Sequence, residues 1–166
     1  MSDAQFAWHL RPGGVADAAR MAAIHREAFT SDLPYLPTLH TAEEDLAFFS
    51  AATESQQTLV AATDEEPLDI SGFAMWTSGW VHHLYIAPPF QRRGVGSALL
   101  GAVRDWHVTN GLHVIDLWTF QRNAAARRFY QQHGFVPVEF TDGSGNEEQE
   151  PDIRFRWQIV PLNADA

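Results

Sequence analysis

The residues best suited to chemistry lie in one short run, Gln91-Arg92-Arg93-Gly94-Val95-Gly96. Glycines at that spacing let backbone N–H groups approach a ligand with no Cβ in the way. Apolar residues then recur at helical spacing through Val95, Leu99, Val103 and Trp106, so the run opens a helix. A helix N-terminus offers unpaired N–H donors and a partial positive charge, which suits a phosphate or pyrophosphate. Arg92 and Arg93 place two positive charges there, on a chain with only 11 lysines and arginines. Two other phosphate loops fail on the residues. A Walker loop ends in Gly-Lys-Ser or Gly-Lys-Thr, and no such run occurs. A dinucleotide fingerprint needs a third small residue three after Gly96, where Leu99 stands. Asp116 has the spacing of a ribose-binding acid but falls inside an expected strand, not at its end.

Two more groups could carry chemistry. His82 and His83 are adjacent, and histidine, with an unperturbed pKa of about 6.5, can accept a proton at neutral pH. Strand alternation predicts Trp80, His82 and Leu84 on one face, with Val81, His83 and Tyr85 on the other. Opposed histidines without further ligands at metal spacing give no zinc site. Asn123 and Tyr130 lie seven residues apart, which places them on one helix face two turns apart. The chain has no cysteine, so disulfides, thiolate metal sites and a cysteine nucleophile are excluded.

These residues need a scaffold of alternating strands and helices. Phe6 to Arg11 reads as an opening strand, closed by Pro12, Gly13 and Gly14. A helix is predicted over Val15 to Phe29. A second runs over Ala42 to Ala52, with Thr41 and Glu44 spaced as a capping box. Thr58 to Thr63 and Ile70 to Thr77 bracket an acidic turn at Asp64, Glu65, Glu66 and Pro67, forming a hairpin. Trp80 to Ile86 is the next strand, and the helix from Val95 to His107 stops at Asn110 and Gly111. His113 to Phe120 is a strand, and Asn123 caps a helix through His133, stopped by Gly134. Phe135 to Phe140 and Ile153 to Val160 complete the order β-α-α-β-β-β-α-β-α-β-β. That order predicts one mixed central sheet flanked by helices, a single domain over residues 1–166. Crossovers place the strands at Trp80–Ile86 and His113–Phe120 side by side and parallel.

Composition narrows the partners. The chain has 166 residues, 45% hydrophobic and 19% charged, ordinary for a globular protein able to bury one core. A formal net charge of −10 argues against a nucleic-acid partner. No apolar run approaches the roughly 20 residues of a membrane helix. Met1 to Leu10 lacks the pattern of a signal peptide, so a cytoplasmic protein with no membrane partner is expected.

His83-Leu84-Tyr85-Ile86-Ala87-Pro88 followed by Gln91-Arg92-Arg93-Gly94-Val95-Gly96 resembles the central strand and Gln/Arg-x-x-Gly-x-Gly/Ala signature of the GCN5-related N-acetyltransferases. Asn123-Ala124-Ala125-Ala126-Arg127-Arg128-Phe129-Tyr130, with His133-Gly134-Phe135 behind it, resembles that family's second motif. The likeness covers roughly residues 80 to 140. It implies acetyl-coenzyme A as cosubstrate, with its pantetheine arm lying where the strand before the turn splays from its parallel neighbour. Leu84, Tyr85 and Ile86 would offer backbone groups to pantetheine and acetyl. Gln91, Arg92, Arg93, Gly94, Val95, Gly96 and Ser97 would hold the pyrophosphate, mainly through main-chain N–H groups. Asn123 would contact the cofactor arm while also serving as a helix cap, and Phe129 would wall the channel or pack in the core.

Acetyl transfer to an amine needs a base for the amine, donors for the oxyanion and a proton for the departing thiolate. The resemblance gives Tyr130 the role of general acid; without it, a packed helix tyrosine beside Phe129 explains the residue equally well. For the base, His82 has a spacing to Gly94 similar to that of a histidine in the arylalkylamine acetyltransferases, while His83 and water remain open. With no cysteine, direct attack within a ternary complex is expected over an acyl-enzyme. The acceptor would be a small-molecule amine or a protein or peptide amine. It would be shaped by Tyr35, Leu36, Leu39, His40, Trp76, Trp80, Trp118 and the loop from Thr141 to Asp152. A homodimer is compatible with such folds. The alternative class is a non-catalytic acyl-coenzyme A sensor or interaction module; an intact turn together with Asn123 and Tyr130 favours the enzyme.

Overall fold

The computed structural model describes residues 7–65 and 69–159, so Phe6, Glu66, Pro67 and Val160 from the expected elements lie outside it. The elements are β1 (Trp8–Pro12), α1 (Ala18–Asp32), α2 (Ala42–Ser55), β2 (Gln57–Thr63), β3 (Ile70–Thr77), β4 (Trp80–Ile86), α3 (Val95–Thr109), β5 (Val114–Phe120), α4 (Ala124–Gln132), β6 (Val136–Phe140) and β7 (Asp152–Gln158). Their order is the expected one. The first helix departs in detail: Val15–Asp17 forms a 3-10 turn before α1 begins. Asp17 explains this tight entry, accepting from Gly14 N at 3.1 Å and from the Arg11 guanidinium at 2.8 and 3.0 Å.

Caps set the other helix ends. Thr41 Oγ1 accepts from Glu44 N at 3.1 Å, satisfying a first-turn donor of α2. The reciprocal half of the box differs, because the Glu44 carboxylate accepts from the Thr41 hydroxyl and not from its backbone. Asn123 caps α4 by accepting from Ala126 N at 3.2 Å. Gly111 and Gly134, at φ +73° and +86°, take the left-handed turns after α3 and α4.

Seven strands form one sheet in the order β1-β2-β3-β4-β5-β7-β6. All neighbours are antiparallel except β4 and β5, which are parallel as expected. That parallel pair is joined at a single register position, Trp80 opposite Asp116, whereas β5 and β7 match over seven. The sheet therefore opens between β4 and β5.

Alternation along β2 and β3 sends Val60, Ala62, Phe73 and Met75 to the face covered by α1 and α2. Ala61, Ala74 and Trp76 go to the face covered by α3. On β4 the alternation fails, because the register passes from Met75 opposite His83 to Trp76 opposite Val81 and leaves His82 as an extra residue. This bulge corrects the expected faces: Val81 packs into the α3 core, while His83 turns towards Phe49 on α2 and His25 on α1. Asp116, far from any ribose role, is buried and bonds Arg154 at 2.7 Å and Arg156 at 2.8 and 3.0 Å, tying β5 to β7. No helix among the described residues is long and apolar enough to cross a membrane.

Candidate functional site

The opening between β4 and β5 is a cavity of about 630 Å³. Leu84, Tyr85 and Ile86 form one bank, and Leu117, Thr119 and Phe120 the other. Strands that part leave backbone donors and acceptors facing the gap, a geometry that accepts an extended ligand as a strand accepts a neighbour.

At one end stands the turn before α3. Gly94 has φ +84°, and Arg92 also takes a left-handed conformation at φ +63°, uncommon for a side chain of its size. The two inversions fold the backbone sharply back into the helix, whose first N–H groups have no partner within it. Gln91 fixes the start of the turn by donating from Nε2 to Ile86 O at 3.1 Å. A Cβ at Gly96 would meet the Phe129 ring at 3.4 Å, an ordinary contact, so α4 packs directly on the first turn of α3. Ser97, on the first turn of α3, meets His133 Nε2 at 3.0 Å. The result is a helix N-terminus at the edge of the cavity, a geometry suited to an anion.

Tyr130 lies on the cavity wall. Its ring packs against Phe129, Phe135 and Phe155, with centroids at 5.3, 5.7 and 6.3 Å. Burial, reinforced by Tyr85, pushes its phenol well above the usual range, so it keeps its proton. Its hydroxyl has no hydrogen-bond partner among the described residues. Tyr85 is similarly raised to about 12, mainly by burial, with Glu148 and Asp32 adding to the shift.

The two histidines differ sharply. His82, on the bulge, is exposed at the cavity edge with Nε2 2.7 Å from Thr77 Oγ1, and partial burial lowers its pKa. His83 sits among Phe48, Phe49, His25 and Tyr85, and burial, with His25 and His82 nearby, depresses it to about 3. A nitrogen so hard to protonate is a poor proton acceptor at neutral pH.

Of the residues singled out in the sequence, His82, Leu84, Tyr85, Ile86, Gln91, Arg92, Gly94, Gly96, Ser97, Asn123, Phe129 and Tyr130 line this one cavity. Arg93 does not line it. Val95 points the other way, buried at 1% exposure in the core beneath α3, so only its backbone can serve a ligand. Sequence reasoning missed Asp32, Leu33 and Arg128, which also line the cavity. Arg128 was within reach, being inside the Asn123–Tyr130 run; Asp32 and Leu33 arrive only through the packing of α1 on β4.

The sheet is thus parted at its parallel pair, with the left-handed turn into α3 beside the parting. The family model described as "Acetyltransferase (GNAT) family" matches residues 19–135, and the chain belongs to that family. Among curated proteins it is similar to an uncharacterized N-acetyltransferase of Methanocaldococcus jannaschii, 30% identical over 63 residues. That match covers 38% of this chain and 28% of the relative, so the chain spans well under half of that protein. Among solved structures it is similar to a GCN5-related N-acetyltransferase from Rhodopseudomonas palustris, with TM-score 0.75 and 24% identity, covering 96% of this chain and 99% of that one. It is also similar to YncA from Salmonella typhimurium, solved with acetyl-CoA, at TM-score 0.70 and 24% identity over 96% of this chain and 99% of that one.

Proposed function

We propose that the chain, as one catalytic domain, moves an acetyl group from acetyl-coenzyme A to a primary amine by direct attack with both substrates bound. The observation that carries this reading is the parted β4–β5 pair, with the left-handed turn at its mouth and Tyr130 on its wall. The family match and the acetyl-CoA complex of a similar structure support it.

In this reading the backbone N–H groups from Arg92 to Ser97 hold the pyrophosphate, and Leu84 to Ile86 bind the pantetheine arm and the acetyl carbonyl. Asn123 has its side-chain oxygen committed to the α4 cap, which leaves its amide nitrogen to donate to the arm. His82, directly or through water, takes the proton of the ammonium. The free amine adds to the acetyl carbon, the C–S bond breaks as Tyr130 gives its proton to the leaving sulfur, and the nitrogen releases its second proton to solvent, from which Tyr130 is reprotonated. A phenol held protonated by burial suits the proton transfer to sulfur, and an exposed imidazole of lowered pKa suits the first step.

Calorimetric titration with acetyl-coenzyme A tests the reading, repeated on Gly94→Trp. The position is left-handed, so a side chain adds roughly 1–2 kcal/mol of strain and places bulk at the turn. Saturable binding by the parent and none by a folded variant is expected. A folded parent that binds no acetyl-coenzyme A would sink the proposal.

A further inference from the structure

We propose that Thr77 is a positioning residue for the acetyl transfer: its Oγ1 accepts the Nε2 proton of His82, so that Nδ1 is the atom that takes the proton of the amine. This rests on the reading of His82 as the base.

His82 needs an outside hold because β4 carries one residue too many for β3. Met75 faces His83 and Trp76 faces Val81, which leaves His82 without a partner across the ladder. A bulged residue is released from the pairing that fixes its neighbours, and its side chain is re-aimed. His82 also lies two residues past Trp80, the position that joins β4 to β5, so it stands where the seam begins to open. Thr77, the last residue of β3, supplies the hold, with Oγ1 2.7 Å from His82 Nε2.

Thr77 is itself well fixed. The turn that follows it contains Gly79, left-handed at φ +82°. Gly79 N donates to His107 Nε2 at 3.0 Å, and Gly79 O accepts from Asp116 N at 2.8 Å. His107 is buried on α3, and its Nδ1 donates to Val103 O at 2.8 Å. The turn is thus moored to α3 and to β5.

The direction of the Thr77–His82 bond decides what the imidazole can do. A neutral ring has one N–H and one lone pair. Were the hydroxyl to donate to Nε2, the ring proton would sit on Nδ1 and no lone pair would remain for the amine. With Nε2–H donating to Oγ1, the lone pair is on Nδ1, which has no hydrogen-bond partner among the described residues. This second arrangement also outlasts the reaction. The imidazolium keeps its Nε2–H, and a charged donor makes the stronger bond.

The charged and titratable groups around His82 are His83 beside it on β4, and Asp32, Tyr85, Arg92, Arg128 and Tyr130 on the cavity wall. None of these is bonded to His82, whose pKa is lowered by burial. His83 stays neutral down to about 3, and Tyr130 keeps its proton. Burial raises Asp32, so an acid limb belongs to His82 only where His82→Gln removes it.

The test measures the pH profile of kcat by thiol release from acetyl-coenzyme A with benzylamine, together with NMR of the His82 ring nitrogens at a pH above the limb. Thr77→Val keeps the β-branched shape and removes the acceptor. It should lower kcat about tenfold, a part of the 10²–10⁴ a general base supplies. It should also move the acid limb down by about half a pH unit, because the imidazolium loses its bond. Thr77→Ser should restore both, and acetyl-coenzyme A affinity should stay unchanged throughout. The parent spectrum should show His82 protonated on Nε2, a reading that needs no variant. Protonation on Nδ1, a limb that stays put or moves up in Thr77→Val, or a loss that Thr77→Ser does not restore would overturn the role of Thr77. A limb that survives His82→Gln overturns the base reading and this proposal with it. Thiol release by none of these proteins overturns acetyl transfer itself.

Discussion

Tyr130→Phe separates chemistry from structure more cleanly than any other substitution at this site. The hydroxyl has no hydrogen-bond partner among the described residues, so its removal leaves no orphaned group behind. The ring contacts with Phe129, Phe135 and Phe155 survive in phenylalanine. Folding stability should therefore change by less than about 0.5 kcal/mol, the scale of substitutions away from any critical contact. Loss of a general acid typically costs roughly 10²–10⁴ in rate, or about 3–5 kcal/mol of barrier. The assay pairs thiol release under saturating acetyl-coenzyme A with urea denaturation and calorimetry on the same preparations. Turnover should fall at least about a hundredfold while cofactor affinity and unfolding midpoint stay put. Turnover equal to the parent's would refute the acid role. An accompanying stability loss above roughly 1 kcal/mol would show that the hydroxyl is a structural group.

Two other outcomes follow from the titrating groups. Partial burial lowers the His82 pKa, so its base form persists to lower pH than in a free imidazole. The acid limb of kcat should lie below about pH 6.5, and His82→Gln should remove that limb; an unmoved limb would place the base elsewhere. Asp116→Asn should destabilise the fold by about 2 kcal/mol at neutral pH in urea titrations. That is less than for a fully buried pair, because Arg156 is 39% exposed. Bonds from Arg156 and Arg154 depress the folded pKa of Asp116 below its unfolded value. Its stabilisation is thus complete above roughly pH 4 and is lost as pH falls through the folded value. A gap between parent and variant that stays constant from neutral pH into strong acid would contradict this.

The order of elements was legible because each carries its own local signal. Thr41 and Asn123 mark helix starts, Gly111 and Gly134 mark stops, and β3 and β4 have the bounds their residues suggest. The cavity residues were legible for a similar reason: the turn and the Asn123–Tyr130 run are contiguous, and each keeps its members on one surface. What escaped depends on pairing between distant segments. The extra residue at His82 exists only relative to β3, so strict alternation put Val81 on the wrong face, beside His83 and Tyr85. The left-handed backbone of Arg92 was hidden because side-chain identity announces such a conformation only when the residue is glycine. The stacking of the Arg122 guanidinium on the Tyr35 ring joins residues 87 positions apart, and neither end carries a mark of the other.

The single register position between β4 and β5 has a consequence for the molecule as a whole. The sheet works as a clasp with two leaves, β1 to β4 and β5 to β7, whose seam is left mostly unsewn. Sheet edges on a protein's exterior invite stray strands, and proteins guard them with charge, bulges or short length. Here the edges face each other within a narrow cleft, and whatever ligand lies between them becomes the thread. A ligand held at a hundred times its dissociation constant adds about 2.7 kcal/mol to the folded state. For a fold of ordinary marginal stability that is a substantial share, so a ligand bound in the seam would lengthen the protein's lifetime in a proteolytic environment.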